Sequence, residues 1–265
     1  MKVQTLIIGA VAGLALGSAA FAQAGSGGSI TNNASSFTLA DIGTTSSGNG
    51  PLADFRVGGA GNPDHLFQQY WWYRVQGDTQ ETEFVNASSW AYNGNTATLT
   101  FSTPQFDAVM QFVVLGVRNG LGVLTSTLTV FNTSADALTV NLFNYADLDM
   151  NNSPGNDSAD LNGVNIIRVT DGGNTGWRAN YEGTDAYQVA SFAALRGVLT
   201  DPNADDLNNT GLPFGPGDWT GAFQWQFTVG SGSAATASAT ITIIPTPGAL
   251  ALLGLGGLVA TRRRR

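Results

Sequence analysis

The chain has no cysteine, one histidine (His65) and one lysine (Lys2) among its 265 residues. Without cysteine there are no disulfides, thiol nucleophiles or thiolate metal clusters. A single histidine excludes multi-histidine metal centres and leaves one imidazole as a candidate general base. No G-x-S-x-G elbow accompanies it, and beside Pro63 and Asp64 it reads as a surface turn residue. Glutamate is scarce too. Glu81 and Glu83 share one face of a predicted strand, where exposed charge is ordinary, and Glu182 stands apart. No catalytic residue is assigned on this basis.

Positive charge is thin and gathers at the ends. Setting the ends aside leaves six arginines (Arg56, Arg74, Arg118, Arg168, Arg178, Arg196) against all nineteen acidic residues, a formal −13 on the central segment. Such a surface repels nucleic acid and anionic lipid, so nucleic-acid partners are excluded. It suits divalent cations or hydrated polymers.

Long apolar runs are confined to the two termini. Residues 1–24 have the layout of a secretory signal: Lys2, the apolar stretch Leu6 to Gly17, then small-x-small sites ending at Ala22 and Ala24. Twelve apolar residues fall short of the roughly 20 that a spanning helix needs, which favours removal by signal peptidase over anchoring. At the other end come Pro245, Thr246, Pro247 and Gly248, an apolar run from Ala249 to Ala260, and Arg262, Arg263, Arg264 and Arg265. Proline stops the last strand, and an apolar segment before a basic cluster holds a C-terminus in the cytoplasm. This tail (residues 245–265) resembles the PEP-CTERM sorting signal, with Thr246 where that family has Glu. The resemblance implies transient insertion in the inner membrane, cutting near the motif by an exosortase-type enzyme, and delivery to the cell surface or a biofilm matrix. Asp64 to Val75, Asn141 to Met150 and Asp206 to Trp225 are also similar to other proteins that carry this signal.

Between the ends, residues 25–36 (GSGGSITNNASS) read as a flexible linker. Residues 37–244 read as strands, with no amphipathic helix of ten or more residues. Trp219, Phe223, Trp225, Phe227 and Val229 alternate with polar residues at the period of a half-buried strand. Asn93-Gly94 and Asn119-Gly120 are hairpin turns. A turn at Thr133–Asp136 predicts a third hairpin, between residues 124–130 and 138–142. About ten to twelve strands without strand–helix alternation predict an all-β, two-sheet antiparallel sandwich, jelly-roll-like. Short hydrophobic helices would flank it at both termini.

Three features carry candidate chemistry. Asp147, Asp149 and Asn151, with Asp157 beyond, present alternating oxygen ligands of the kind Ca2+ takes, although no EF-hand pattern surrounds them. Asp201, Asn203 and Asp205 repeat that rhythm in a Pro- and Gly-rich connection. Trp71, Trp72 and Tyr73 form an aromatic run able to stack on sugars, although alternation must bury part of it. These features predict a non-catalytic surface or matrix protein with an optional calcium ion. The alternatives are a module binding exopolysaccharide and, after that, a polysaccharide-active enzyme.

Overall fold

The computed structural model describes residues 25–246, except 44, 46, 47, 49, 118, 119, 173–175 and 185. The signal segment with Ala22 and Ala24, and the tail from Pro247 through Arg265, lie outside the described residues, as do the flanking apolar helices expected there.

In chain order the first strands are β1 (Gly28–Asn32), β2 (Ser35–Leu39), β3 (Ala53–Arg56), β4 (Gln68–Val75), β5 (Thr82–Glu83) and β6 (Ser89–Asn93). Next come β7 (Thr96–Ser102), β8 (Phe106–Gly116), β9 (Gly122–Asn132), β10 (Leu138–Asp147), β11 (Asp157–Leu161) and β12 (Ile166–Asp171). The last are β13 (Trp177–Glu182), β14 (Tyr187–Ser191), helix α1 (Phe192–Thr200), β15 (Phe214–Gly217), β16 (Trp219–Val229) and β17 (Ala234–Pro245).

The fold is all-β, as the alternating pattern predicts. Two antiparallel sheets dominate. One has five strands in the order β14-β16-β10-β4-β5, the other nine in the order β15-β11-β12-β13-β17-β9-β8-β7-β6. A small third sheet, β1-β2-β3, packs on the larger one, where Phe37 stacks on Phe112 at 4.8 Å. Between the main sheets Tyr181 packs on Phe223 (4.7 Å), and within the five-stranded sheet Trp71 packs on Trp225 (5.3 Å). The Trp71 indole N–H donates to Ser126 Oγ at 2.6 Å, so its one polar atom is satisfied inside the core.

Three expectations are corrected. The linker over 25–36 is instead largely strand: β1 pairs with β2, and Ile30 is buried with Phe37 and Leu39. Its Gly and Ser content hid one apolar anchor on a short edge. The Thr133–Asp136 turn joins no hairpin, because β9 pairs with β8 and β17 while β10 pairs with β16 and β4. That turn carries the chain from one sheet to the other. Helix α1 breaks the all-strand reading, being only nine residues long, with Leu195 and Leu199 buried. The two Asn-Gly readings place real hairpins: Asn93 faces Thr96 across a turn with Gly94 at φ 58, and Gly116 faces Gly122. Glycine tolerates that positive φ without strain.

Candidate acidic cleft

Asp147 is the last residue of β10, a central strand of the five-stranded sheet, and lies between Thr220 of β16 and Gln68 of β4. Two residues on, Asp149 opens the crossing to the larger sheet. Asn151 and Asn152 turn the chain there with φ of 64 and 58, values that asparagine tolerates better than most residues. The Asn152 N–H donates to the carbonyls of Asp149 (2.9 Å) and Asp64 (2.7 Å), which fixes the turn. Asp157 then starts β11 and faces Gly217 of β15, so the next residue, Asp218, arrives beside it. One carboxylate oxygen from each of Asp147, Asp149 and Asp218 lies within 4.8 Å of the others.

These carboxylates open onto a cavity of about 220 Å3, lined by Phe67, Asp147, Asp149, Pro154, Phe192 and Asp218. Phe67 is 39% exposed and meets Phe192 edge-on at 6.0 Å. The Arg196 guanidinium lies over the opposite partner, the Phe192 ring, at 4.4 Å. Burial, then the charges of Asp149, Asp218 and Asp157, push the Asp147 carboxyl up to about 9, and Arg196 opposes that shift. Burial, then Asp218, raises Asp149 to about 6. Burial also raises Asp157 to about 8, with Asp149, Asp171 and Asp218 adding to it. The Met150 N–H is near enough to favour the ionised form of Asp157 but completes no hydrogen bond to it.

Of the sequence candidates, Asp147, Asp149 and Asp157 come together here. Asn151 serves the turn, its backbone N–H donating to His65 Nδ1 at 3.1 Å. Asp218, Phe67 and Phe192 escaped sequence reasoning, since only the β11–β15 pairing and helix α1 bring them to the cleft. The second acidic loop is engaged elsewhere. Asp206 and the Asp205 carbonyl both bind Arg74, and Asp201 accepts the Asn203 N–H at 2.7 Å.

The sugar-stacking expectation for Trp71, Trp72 and Tyr73 is corrected. Trp71 and Trp72 are 0% and 1% exposed, and Tyr73 packs on Phe84 and Phe106. Both faces of β4 are covered: one by the larger sheet, the other by Gly50, Leu199 and Thr200 over Trp72. His65 is likewise no surface residue. It is 0% exposed and packs 5.0 Å from Trp177. Glu81 and Glu83 are buried, Glu81 pairing with Arg74 and Glu83 accepting the Gly48 N–H.

No family model and no curated protein matches the chain. Solved structures do. A bacterial glucoamylase complexed with acarbose matches with a TM-score of 0.53 at 8% identity, over 89% of this chain and 35% of that one. A galactose mutarotase related enzyme from Lactobacillus acidophilus matches at 0.49 and 10%, over 83% and 98% of the two chains. A polysaccharide lyase matches at 0.49 and 7%, over 83% and 34%. The likeness is one of fold. It nevertheless overturns the expectation of a non-catalytic matrix scaffold, because a glucoamylase carries this sandwich without sequence likeness. Missing motifs therefore no longer argue against sugar chemistry here.

Proposed function

We propose that this chain is an exported, saccharide-directed β-sandwich whose sugar site is the cleft between Phe67, Phe192 and the three aspartates. The observation that carries this reading is the pairing of exposed aromatic surface with carboxylates in one concavity. Phenyl rings take up the C–H face of a sugar, while carboxylate oxygens accept from its hydroxyls. With −13 on the central segment, uronate or sulfated polymers would be repelled, so neutral, hydroxyl-rich glycans are the favoured class. The secretory segment and the PEP-CTERM-like tail support export through signal peptidase and an exosortase-type enzyme. They bring the domain to a surface where exopolysaccharide is the surrounding polymer.

A second reading gives the same cleft a reaction. Asp147 holds its proton up to about 9 while Asp149 is ionised above about 6. Glycoside hydrolysis uses two carboxyl groups, one protonated and one ionised, flanking the scissile bond and about 5–9.5 Å apart, and the three aspartates are the carboxyl groups that this cavity offers.

Both readings are tested by co-sedimenting the purified chain with insoluble neutral polysaccharide and measuring released reducing ends. Saturable binding that Phe67→Ala weakens about tenfold, with stability unchanged, is expected. Trp71→Ala should do the reverse, costing about 3–5 kcal/mol of stability as a core truncation. Binding that depends on Trp71 and ignores Phe67 would place the site elsewhere. Reducing ends released by the wild type and lost in Asp147→Asn would establish the reaction.

A further inference from the structure

We propose that Asp147, Asp149 and Asp218, with Asp157 behind them, form a binding site for a hard divalent cation of the calcium type. The inference deepens the reading of the cleft, and its physical basis is separate. Oxygens on opposite sides of a calcium ion lie about 4.6–5.2 Å apart, twice the usual 2.3–2.6 Å ligand distance. The three aspartate oxygens, mutually within 4.8 Å, already enclose such a centre.

Unsatisfied buried atoms point the same way. Asp147 is 2% exposed, and its Oδ1 has no hydrogen-bond partner. Asp157 is 0% exposed, and neither of its carboxylate oxygens has one. Among the described carboxylates only Asp157 has both buried oxygens without a partner; Glu81 leaves its Oε2 so, yet its other oxygen is held by an arginine. Asp64 Oδ1 receives the N–H groups of Phe55 and His65, each at 2.8 Å, and Glu81 receives Arg74. Orphaned buried oxygens are costly, and a cation is the ligand that satisfies several at once. No described arginine takes that place. The ion pairs run Arg56 to Asp54 and Asp64, Arg74 to Glu81 and Asp206, and Arg168 to Asp160. Arg196, the cation whose charge Asp147 feels, is turned onto the Phe192 ring.

The donor set selects the metal. It is all oxygen, with no cysteine in the chain, and His65 turns its Nδ1 to the Asn151 N–H. Zinc and copper favour nitrogen and sulfur ligands, whereas carboxylate oxygen suits calcium, magnesium and manganese. Magnesium demands near-ideal octahedral geometry and keeps its waters, so an irregular cluster fed by a turn and two strand ends favours calcium. Open positions toward the cavity would accept sugar hydroxyls. A bound cation also keeps all the carboxylates ionised, which would leave the cleft without a proton donor and favour binding over hydrolysis.

The test uses the full chain, stripped with EDTA and exchanged into metal-free buffer. Calcium is titrated calorimetrically, and terbium luminescence is excited through Trp219, the neighbour of Asp218. We expect one ion per chain, a melting temperature several degrees higher in millimolar calcium, and affinity reduced at least tenfold by Asp218→Asn. Asp201→Asn, in the second acidic loop, should leave affinity unchanged. Absence of both heat and thermal shift, calcium binding that survives Asp218→Asn, or an equal response to magnesium would each overturn the proposal. Because the titration contains no sugar, the two readings fail separately. Calcium binding without saccharide binding keeps this one and removes the other. Saccharide binding in EDTA with no calcium heat does the opposite.

Discussion

His65 shows what one residue's surroundings do to its chemistry. In sequence, Pro63-Asp64-His65 reads as a surface turn, because nothing local reports that Trp177 will cover the ring. Burial, then the Arg56 charge, lowers its pKa from 6.5 to about 4. Above about 6.5 neither the folded nor the unfolded chain protonates it. Between about 6.5 and 4 the unfolded chain binds a proton that the folded chain refuses, so stability from this residue is lost as pH falls through that window. Neighbouring Asp64, raised to about 6 by burial and then by Asp54, acts with the opposite sign in the same range. The effect must therefore be read by difference. Urea unfolding of the wild type and of His65→Gln from pH 7.5 to 4.5 should converge as pH falls. Parallel curves would mean that the imidazole is not held neutral.

At the scale of elements, the connection from Asp201 to Asn209 is the segment that sequence describes least well. Its acids suggested a second metal loop, yet it is a strap laid across the five-stranded sheet. Arg74 of β4 fastens it by binding Glu81, the Asp205 carbonyl and the Asp206 carboxylate. Gln224 of β16 accepts the Leu207 N–H at 2.7 Å and donates to Asp206 at 2.7 Å. This strap, together with α1, explains why β10 and β4 are buried on both faces and why the aromatic run of β4 is shut away from solvent. Alternation and Asn-Gly turns made β6 to β9 and β16 readable, because those signals are local. The sheet change after β9 was not readable, since a tight turn looks the same whether it closes a hairpin or crosses the sandwich. Arg74→Met should cost about 3–5 kcal/mol by leaving Glu81 buried without its partner. It should also open residues 201–210 to limited proteolysis. Unchanged resistance to protease would show that other contacts hold the strap.

For the whole molecule, the question is how the two ends relate to the sandwich. β17 runs between β13 and β9 in the larger sheet, and its last residue, Pro245, faces Trp177. The Thr246 N–H makes one further bond, to the Gly176 carbonyl at 2.6 Å. The Pro-Thr-Pro motif therefore starts where the sheet stops. The last core residue of the strand is Ile243, 0% exposed, so the described core is complete before the motif. At the other end β1 begins at Gly28, four residues after the Ala24 site. The described core thus lies between the two expected processing sites, so removal of both ends would leave it intact. Mass spectrometry of the protein recovered from its native surface should give an N-terminus near residue 23 or 25 and a C-terminus near the Pro-Thr-Pro motif. The processed and full-length chains should melt within about a degree of each other, because local changes outside the packed core move stability little. Surface-exposed protein that still carries Arg265 would refute the sorting route and leave the tail as an anchor.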